Sequence, residues 1–420
     1  TERGRSARFR ATMLLTACSV ACVGALSAPV TARGASTASG ASTARGASTA
    51  SGASGGKAAS GGTRPQPALT APEHDPPAVG GKQLAGPGVI VNYPSASSPR
   101  LPNIPASAYV LADAGTGQVL AARDPHGLFN PASTLKMLTA ITLIPRLNPD
   151  STVVASKQAA NVTPDIVGLV PGQSYQVSDL FRALLLISAN DAAIALAQDT
   201  GSLSKGVALM NAEARHLQAY DITAKDPNGL DAPGQHVSAY DEALIARQAL
   251  AMPAFMKYDS THSAMFRIKP GKYVELYNQN SLLTEYPGGI GGKIGWTSSA
   301  GATYIGMARR NGVTLIVTLL HCPALTEIQS AMQLLNWGFA QDGKVRAVGN
   351  LVGPLKPPAP GPASTARAAQ GHAGAPPDTA EAKGIPSSMA AASGALIMFA
   401  FAAAIILMLL RRTAGSRRRG

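Results

Sequence analysis

Cysteine is nearly absent, with three in 420 residues. Cys18 and Cys22 lie in an N-terminal apolar stretch, so only Cys322 remains for the rest of the chain and no intramolecular disulfide is open to it. Histidine is sparse as well. Its seven residues include no close pair at metal-ligand spacing, which argues against zinc chemistry. No metal and no cofactor is expected. Aromatic residues make up only 5%, which points to fewer domains than the two or three that the length would allow. Acidic residues are outnumbered, 23 against 36 basic ones, giving a formal charge of +13. That excess is mostly terminal: residues 1–32 carry four Arg against one Glu, and residues 411–420 carry five Arg. A basic balance of this kind sets membrane topology better than it binds nucleic acid, so no nucleic-acid partner is expected.

The chain does have two hydrophobic segments at its ends. Arg3, Arg5, Arg8 and Arg10 precede an apolar run from Met13 to Leu26, with Val30-Thr31-Ala32 as a cleavage site; residues 1–32 read as an export signal. An uncleaved anchor is the alternative. Leu15-Thr16-Ala17-Cys18 resembles a lipoprotein box, but almost no apolar core precedes it. Residues 33–105 read as a disordered tether. They open on Gly-Ala-Ser-Thr-Ala copies from Gly34, Gly40 and Gly46 and turn proline-rich from Pro65. Such small side chains cannot bury enough apolar area to offset chain entropy. Gly52-Ala53-Ser54-Gly55-Gly56 matches the Gly-x-Ser-x-Gly elbow but lacks the strand and helix that the elbow requires. A Pro/Ala-rich linker is expected over 343–388. Met389 to Leu410 is free of charge and long enough, at about 33 Å of helix, to span a bilayer. The arginines of 411–420 place that end in the cytoplasm and the body of the protein outside the cell membrane.

The folded part is expected over 106–342. Ala108–Asp113 and Gln118–Arg123 read as a hairpin. Ser178 and Asp179 open a helix whose body, Leu180 to Ile187, is almost wholly apolar and therefore internal. Helices follow at Asp191–Gln198, Ser204–Ala219 and Ser238–Ala251. Strands are expected at Lys272–Tyr277, through Gly288–Thr297, and at Thr303–Arg309 and Val313–His321 across Arg310-Asn311-Gly312. A last helix covers Leu325–Phe339.

Chemistry concentrates in three places. Asn130-Pro131-Ala132-Ser133-Thr134-Leu135-Lys136 opens a helix and puts Ser133 and Lys136 three apart, on one face. A serine attacks only when something removes its proton, and a lysine does so only when desolvation or a second cation lowers its pKa. Leu135, Met137, Leu138, Ile141 and Leu143 supply an apolar setting. By itself, Ser-x-x-Lys is weak evidence and is more often a capping serine followed by a surface lysine. Ser188-Ala189-Asn190 lies where the internal helix ends; there, polar groups are either caps or site residues. Lys293-Ile294-Gly295 lies on a strand.

In that order the three pieces form the signature of penicillin-binding proteins and class A β-lactamases. The chain resembles the low-molecular-mass serine D-alanyl-D-alanine carboxypeptidases over roughly 106–342, with Asn228-Gly-Leu-Asp, Gly234-Gln235 and Lys293-Ile-Gly-Trp-Thr-Ser as further blocks. The resemblance implies an α/β fold of the β-lactamase/transpeptidase type: an antiparallel sheet flanked by helices, with a helical lobe beside it. It also implies roles. Ser133 would be the nucleophile, Lys136 its base and Ser188 the proton relay. Asn190 would orient substrate and lysine, and Lys293 would supply positive charge. The Ser133 and Trp296 N–H groups would form the oxyanion hole, and Gly295 and Thr297 would line the substrate. The partners implied are a peptidoglycan stem peptide and, as inhibitors, β-lactams. One departure stands out: Ile294 replaces the family's threonine, whose hydroxyl helps hold the substrate carboxylate. A hydrogen bond to a charged group is worth ~1.5–3 kcal/mol, so its loss costs about ten- to hundredfold in recognition unless Thr297 compensates. Two alternatives stay open. Ile294 is compatible with a non-catalytic muropeptide or β-lactam binder. A β-lactamase would need a glutamate to activate the deacylating water, and no Glu-x-x-x-Asn pattern follows Ser188-Ala-Asn.

Overall fold

Strand-forming segments of this chain are apolar on both faces, and they build a sheet buried on both sides. A computed structural model describes residues 78–356. In chain order the elements are β1 (Val89–Ile90), β2 (Ala108–Asp113), β3 (Gln118–Arg123), α1 (Leu135–Leu143), β4 (Thr152–Val154), α2 (Lys157–Ala160), β5 (Ser174–Gln176), α3 (Val177–Leu186) and α4 (Asn190–Gln198). Then come α5 (Leu203–His216), α6 (Ala239–Leu250), α7 (Pro253–Asp259), β6 (Ser263–Lys269), β7 (Lys272–Tyr277), α8 (Leu282–Glu285), β8 (Gly289–Thr297), β9 (Gly301–Arg310), β10 (Val313–Cys322), α9 (Glu327–Gln341) and β11 (Gly349–Asn350).

The main sheet is antiparallel in the order β1-β3-β2-β10-β9-β8, with β11 also pairing β3. Successive side chains of β2 go to opposite faces. Ala108, Val110 and Ala112 join the core formed with α1, α3, α4 and α6. Tyr109 and Leu111 join a second layer under α9, with Leu334, Leu335 and Trp337. The β9–β10 turn holds Asn311 and Gly312 at φ 50° and 84°, the left-handed pair that a two-residue hairpin with right-handed strand twist requires. Strand β8 is an edge strand. The helices α1, α3, α4 and α5 pack on one another as a lobe, and the 132–134 turn that leads into α1 lies against β8. Small hairpins, β4–β5 and β6–β7, stand apart from the main sheet.

The ordered body is longer than the 106–342 expected. Val89 and Ile90 pair with Arg123 and Ala122, Gly349 and Asn350 pair with Val119 and Gln118, and Leu84, Ile104, Val348 and Leu351 are buried. The reason is the outer edge of β3. Its unpaired N–H and C=O groups need partners, and short segments from both flanks supply them despite their proline and glycine content. The tether expected over 33–105 therefore gives way to packed chain from residue 78, and the linker expected from 343 does so as far as 356. The export signal, the repeats, the remainder of the linker, the 389–410 span and the basic tail lie outside the described residues. Among the described residues no helix is long and apolar enough to cross a membrane.

Candidate active site

Ser133 lies not in the α-helix itself but in the 3-10 turn Ala132–Thr134 that leads into α1. Ala132 has φ 47°, in the left-handed region, where a non-glycine residue costs ~1–3 kcal/mol and persists only when its surroundings hold it. Two features hold it here. The Pro131 carbonyl accepts from Thr134 Oγ1 at 2.6 Å and from Thr303 Oγ1 of β9 at 2.8 Å. Gly229 packs so closely on the turn that a Cβ there would lie 1.7 Å from the Ala132 carbonyl oxygen.

Lys136 follows one turn later and is fully buried. Its Nζ lies 2.9 Å from Ser133 Oγ, 2.6 Å from Asn190 Oδ1 and 2.8 Å from the Asn228 carbonyl. Burial, and next the charge of Lys293, hold its pKa well below the ordinary lysine value; Asp165, Asp226 and Asp191 act the other way. The three oxygen neighbours could each accept from an ammonium, but burial favours the uncharged amine. In that form two N–H bonds serve the carbonyl oxygens of Asn190 and Asn228, and the lone pair is left for the Ser133 hydroxyl proton.

The second segment follows α3. Ser188, at φ 64°, breaks the chain between α3 and α4. Its Oγ is buried and has no hydrogen-bond partner among the described residues. Asn190 begins α4 and is anchored twice more, through N–H to the Asp165 carbonyl and Nδ2 to the Thr163 carbonyl, both 2.8 Å. Asp191 accepts from the N–H groups of Val167, Gly168 and Leu169, which fixes the 163–169 loop to the same helix start.

The third segment is β8. Lys293 pairs across the sheet with Ile305, Ile294 with Tyr304 and Gly295 with Thr303. Directly opposed residues share a face. Lys293 and Gly295 therefore look toward the nucleophile turn, while Ile294 packs into the layer under α9 with Tyr304. Gly295 has to be glycine: a Cβ there would lie 2.6 Å from Ser133 N and 2.5 Å from Thr303 Oγ1. Lys293 is buried, donates to the Ile294 carbonyl at 2.8 Å, and is pulled down to about 8, chiefly by burial, with Asp165 and Asp259 holding it up. Thr297 is committed: its hydroxyl donates to Asp231 Oδ1 at 2.9 Å and accepts from Ala300 N–H. Trp296 is 45% exposed at the end of the strand.

Thus Ser133, Lys136 and Asn190 are in direct contact, Gly295 abuts them, Lys293 acts on Lys136 electrostatically, and Thr297 is oriented by Asp231. Asn228, whose carbonyl binds Lys136, was visible in sequence only within the Asn228-Gly-Leu-Asp block, with no role assigned to it. The carboxyl groups of Glu242 and Asp259, buried behind the site, gave no signal, because one acid in an otherwise regular helix looks like solvent-facing charge. Among the described residues no cluster of His, Cys, Asp or Glu could hold a metal ion.

A hydroxyl touching a desolvated amine, beside an open sheet edge, defines a serine hydrolase with a lysine partner. The chain belongs to the D-alanyl-D-alanine carboxypeptidase family, peptidase family S11, whose model matches residues 95–323. It is 39% identical over 264 residues to the D-alanyl-D-alanine carboxypeptidase DacB2 of Mycobacterium tuberculosis, covering 61% of this chain and 90% of that one. It is 35% identical over 256 residues to DacD of Escherichia coli, covering 57% of this chain and 65% of that relative, so it spans slightly less than two thirds of the latter's length. A crystal structure of a D-alanyl-D-alanine carboxypeptidase from M. tuberculosis superposes with a TM-score of 0.59 at 38% identity, over 62% of this chain and 99% of that one. A Streptomyces K15 DD-transpeptidase mutant does so with 0.53 at 27% identity, over 57% and 99%. The α/β fold expected from sequence is that of these structures, and the serine-type carboxypeptidase class is that of the matching family.

Proposed function

We propose that the protein removes the terminal D-Ala from peptidoglycan pentapeptides through an acyl-serine intermediate, and that penicillins acylate the same serine. The observation that carries this is the contact of buried Lys136 Nζ with Ser133 Oγ. Lys136 takes the hydroxyl proton as Ser133 attacks the penultimate D-Ala carbonyl. The oxyanion is met by the N–H groups of Ser133 and Trp296. Ser188, whose hydroxyl makes no other bond among the described residues, passes a proton to the leaving D-Ala. Asn190 holds Lys136 and the substrate backbone, and Lys293 supplies positive charge for the substrate's C-terminal carboxylate. The substrate peptide extends along the edge of β8 as an added strand. Water then releases the shortened peptide. In this reading residues 389–410 anchor the protein in the cell membrane, with the catalytic domain outside and the arginine tail in the cytoplasm.

Fluorescent penicillin labelling followed by peptide mapping tests the site, and D-Ala release from a peptide ending in D-Ala-D-Ala tests the turnover. The expected result is an adduct on Ser133, absent in Ser133→Ala, together with D-Ala release. An adduct without release would leave a β-lactam-binding protein, the reading that Ile294 favours. No adduct would remove both.

A further inference from the structure

Glu242 is a carboxyl group with no obvious reason to be where it is. It lies on α6, is 1% exposed, and forms no ion pair among the described residues. One oxygen meets Thr134 Oγ1 in a hydrogen bond; the other, Oε2, has no partner among the described residues. Thr134 directly follows the nucleophile. Its single hydroxyl proton is engaged by the Pro131 carbonyl, so the proton in the Glu242–Thr134 contact has to come from the acid. Burial raises Glu242 from 4.5 to about 8 even with Thr134 taken as the donor, a bond that would lower it, so the acid carries its proton at neutral pH.

We propose that Glu242 is a positioning residue for Ser133, donating its carboxyl proton to Thr134 and so holding the left-handed nucleophile turn in the shape that keeps Ser133 against Lys136. The chain of bonds runs from α6 through Thr134 to the Pro131 carbonyl, which also accepts from Thr303 of β9. It therefore fastens the turn to the helix behind it and to the sheet beside it. The inference rests on the proposed acylation at Ser133. Ionisation of Glu242 turns its donor into an acceptor. Two acceptors, the carboxylate and the Pro131 carbonyl, then compete for one hydroxyl proton, and the turn loses one of its two ties. Asp241 on the same helix is occupied with the Asp221 N–H. The ionisable groups on elements packed against α6 are Lys136 of α1, Lys257, Tyr258 and Asp259 of α7, Tyr109 and Asp113 of β2, Tyr304, Arg309 and Arg310 of β9, and His321 and Cys322 of β10. None of them contributes to the shift of Glu242, which comes from burial and Thr134.

The test uses the full chain. Penicillin acylation rates are measured from pH 6 to 9.5 for the wild type, Glu242→Gln, Glu242→Ala and Thr134→Val. Infrared difference spectroscopy follows the protonated carboxyl band of the wild type against Glu242→Gln. An amide still donates, so Glu242→Gln should stay within about threefold of wild type at pH 7, whereas Glu242→Ala and Thr134→Val should each fall about tenfold, the scale of one hydrogen bond. Glu242→Gln should also lose the part of the alkaline decline that Glu242 causes, while any decline due to Lys293 remains. The carboxyl band should titrate near 8 and be missing in Glu242→Gln. A band titrating in the ordinary carboxylate range, or a Gln variant as slow as the Ala variant, overturns the proposal. Should Glu242→Ala fail to fold, Thr134→Val carries the comparison, and a Thr134→Val rate equal to wild type also overturns it. If the wild type is not acylated at Ser133, the functional reading fails, and the infrared titration still decides the state of Glu242.

Discussion

Lys136 is the residue on which the chemistry turns. In the proposed mechanism its amine is useful only while uncharged, and the fold favours that state by burial and by the nearby charge of Lys293, with Ser133 in direct contact. An arginine at this position would stay charged and could not accept a proton. Lys136→Arg should therefore slow acylation by about 10²–10⁴-fold, the usual contribution of a general base, with the far-UV spectrum unchanged. Acylation within threefold of wild type would show that another group takes the proton. Lys293 is tuned in the same direction and less far, to about 8. Its charge is present below that value and is lost as pH rises through it. Recognition of a substrate carboxylate should weaken above pH 8, seen as a rising KM for the peptide. Lys293→Arg, which cannot discharge, should flatten that rise.

Among the elements, β8 has the tightest tolerance. Its backbone runs past the nucleophile turn with no space for a side chain at position 295. Gly295→Ala should push strand and turn apart and reduce acylation by more than about tenfold; a methyl group that close to Ser133 N cannot be absorbed without backbone movement. Wild-type acylation by this variant would mean that strand and turn do not meet as described. The strand also explains how Ile294 is accommodated. Opposite Tyr304, it packs toward α9 and leaves the Ser133–Lys136 contact untouched. The 163–169 loop depends in the same way on α4, whose first residues, Asn190 and Asp191, hold it by five hydrogen bonds.

At the scale of the molecule, the buried acids set a pH dependence of folding. Glu242 rises from 4.5 to about 8 and Asp259 from 3.8 to about 7, both mainly through burial. A raised carboxyl pKa means that the folded state keeps a proton which the unfolded chain has released. That stabilisation is complete below the unfolded value and is lost as pH climbs through the folded one. Glu242→Gln has no such proton to lose. Its melting temperature relative to wild type should rise between pH 5 and 8, by at most roughly 1.4 kcal/mol of stability per pH unit. A constant difference would mean that Glu242 is ionised in the folded protein.

The fold was largely legible where periodicity was strong. The β2–β3 and β9–β10 hairpins, α3 and α9 are within a few residues of expectation, because alternation and buried helix faces are local signals. The cluster of Ser133, Lys136 and Asn190 was legible as motifs. The segments around 78–105 and 343–356 were not: their order comes from the free edge of β3, a partner distant in sequence, and proline and glycine hide it. The Asn228 carbonyl, Glu242 and Asp259 were missed for the same kind of reason. Backbone acceptors carry no residue signature, and a buried acid is defined only by what surrounds it.

The most direct measurement is a pH titration of Lys136 in protein carrying ¹³C-lysine, assigned by comparison with Lys136→Arg and followed through the shift of its ε-carbon. The expected result is a Lys136 signal that titrates well below the ordinary lysine value and disappears from that position once penicillin occupies Ser133. A Lys136 that titrates near 10.5, like a lysine in water, would contradict an uncharged amine beside the nucleophile.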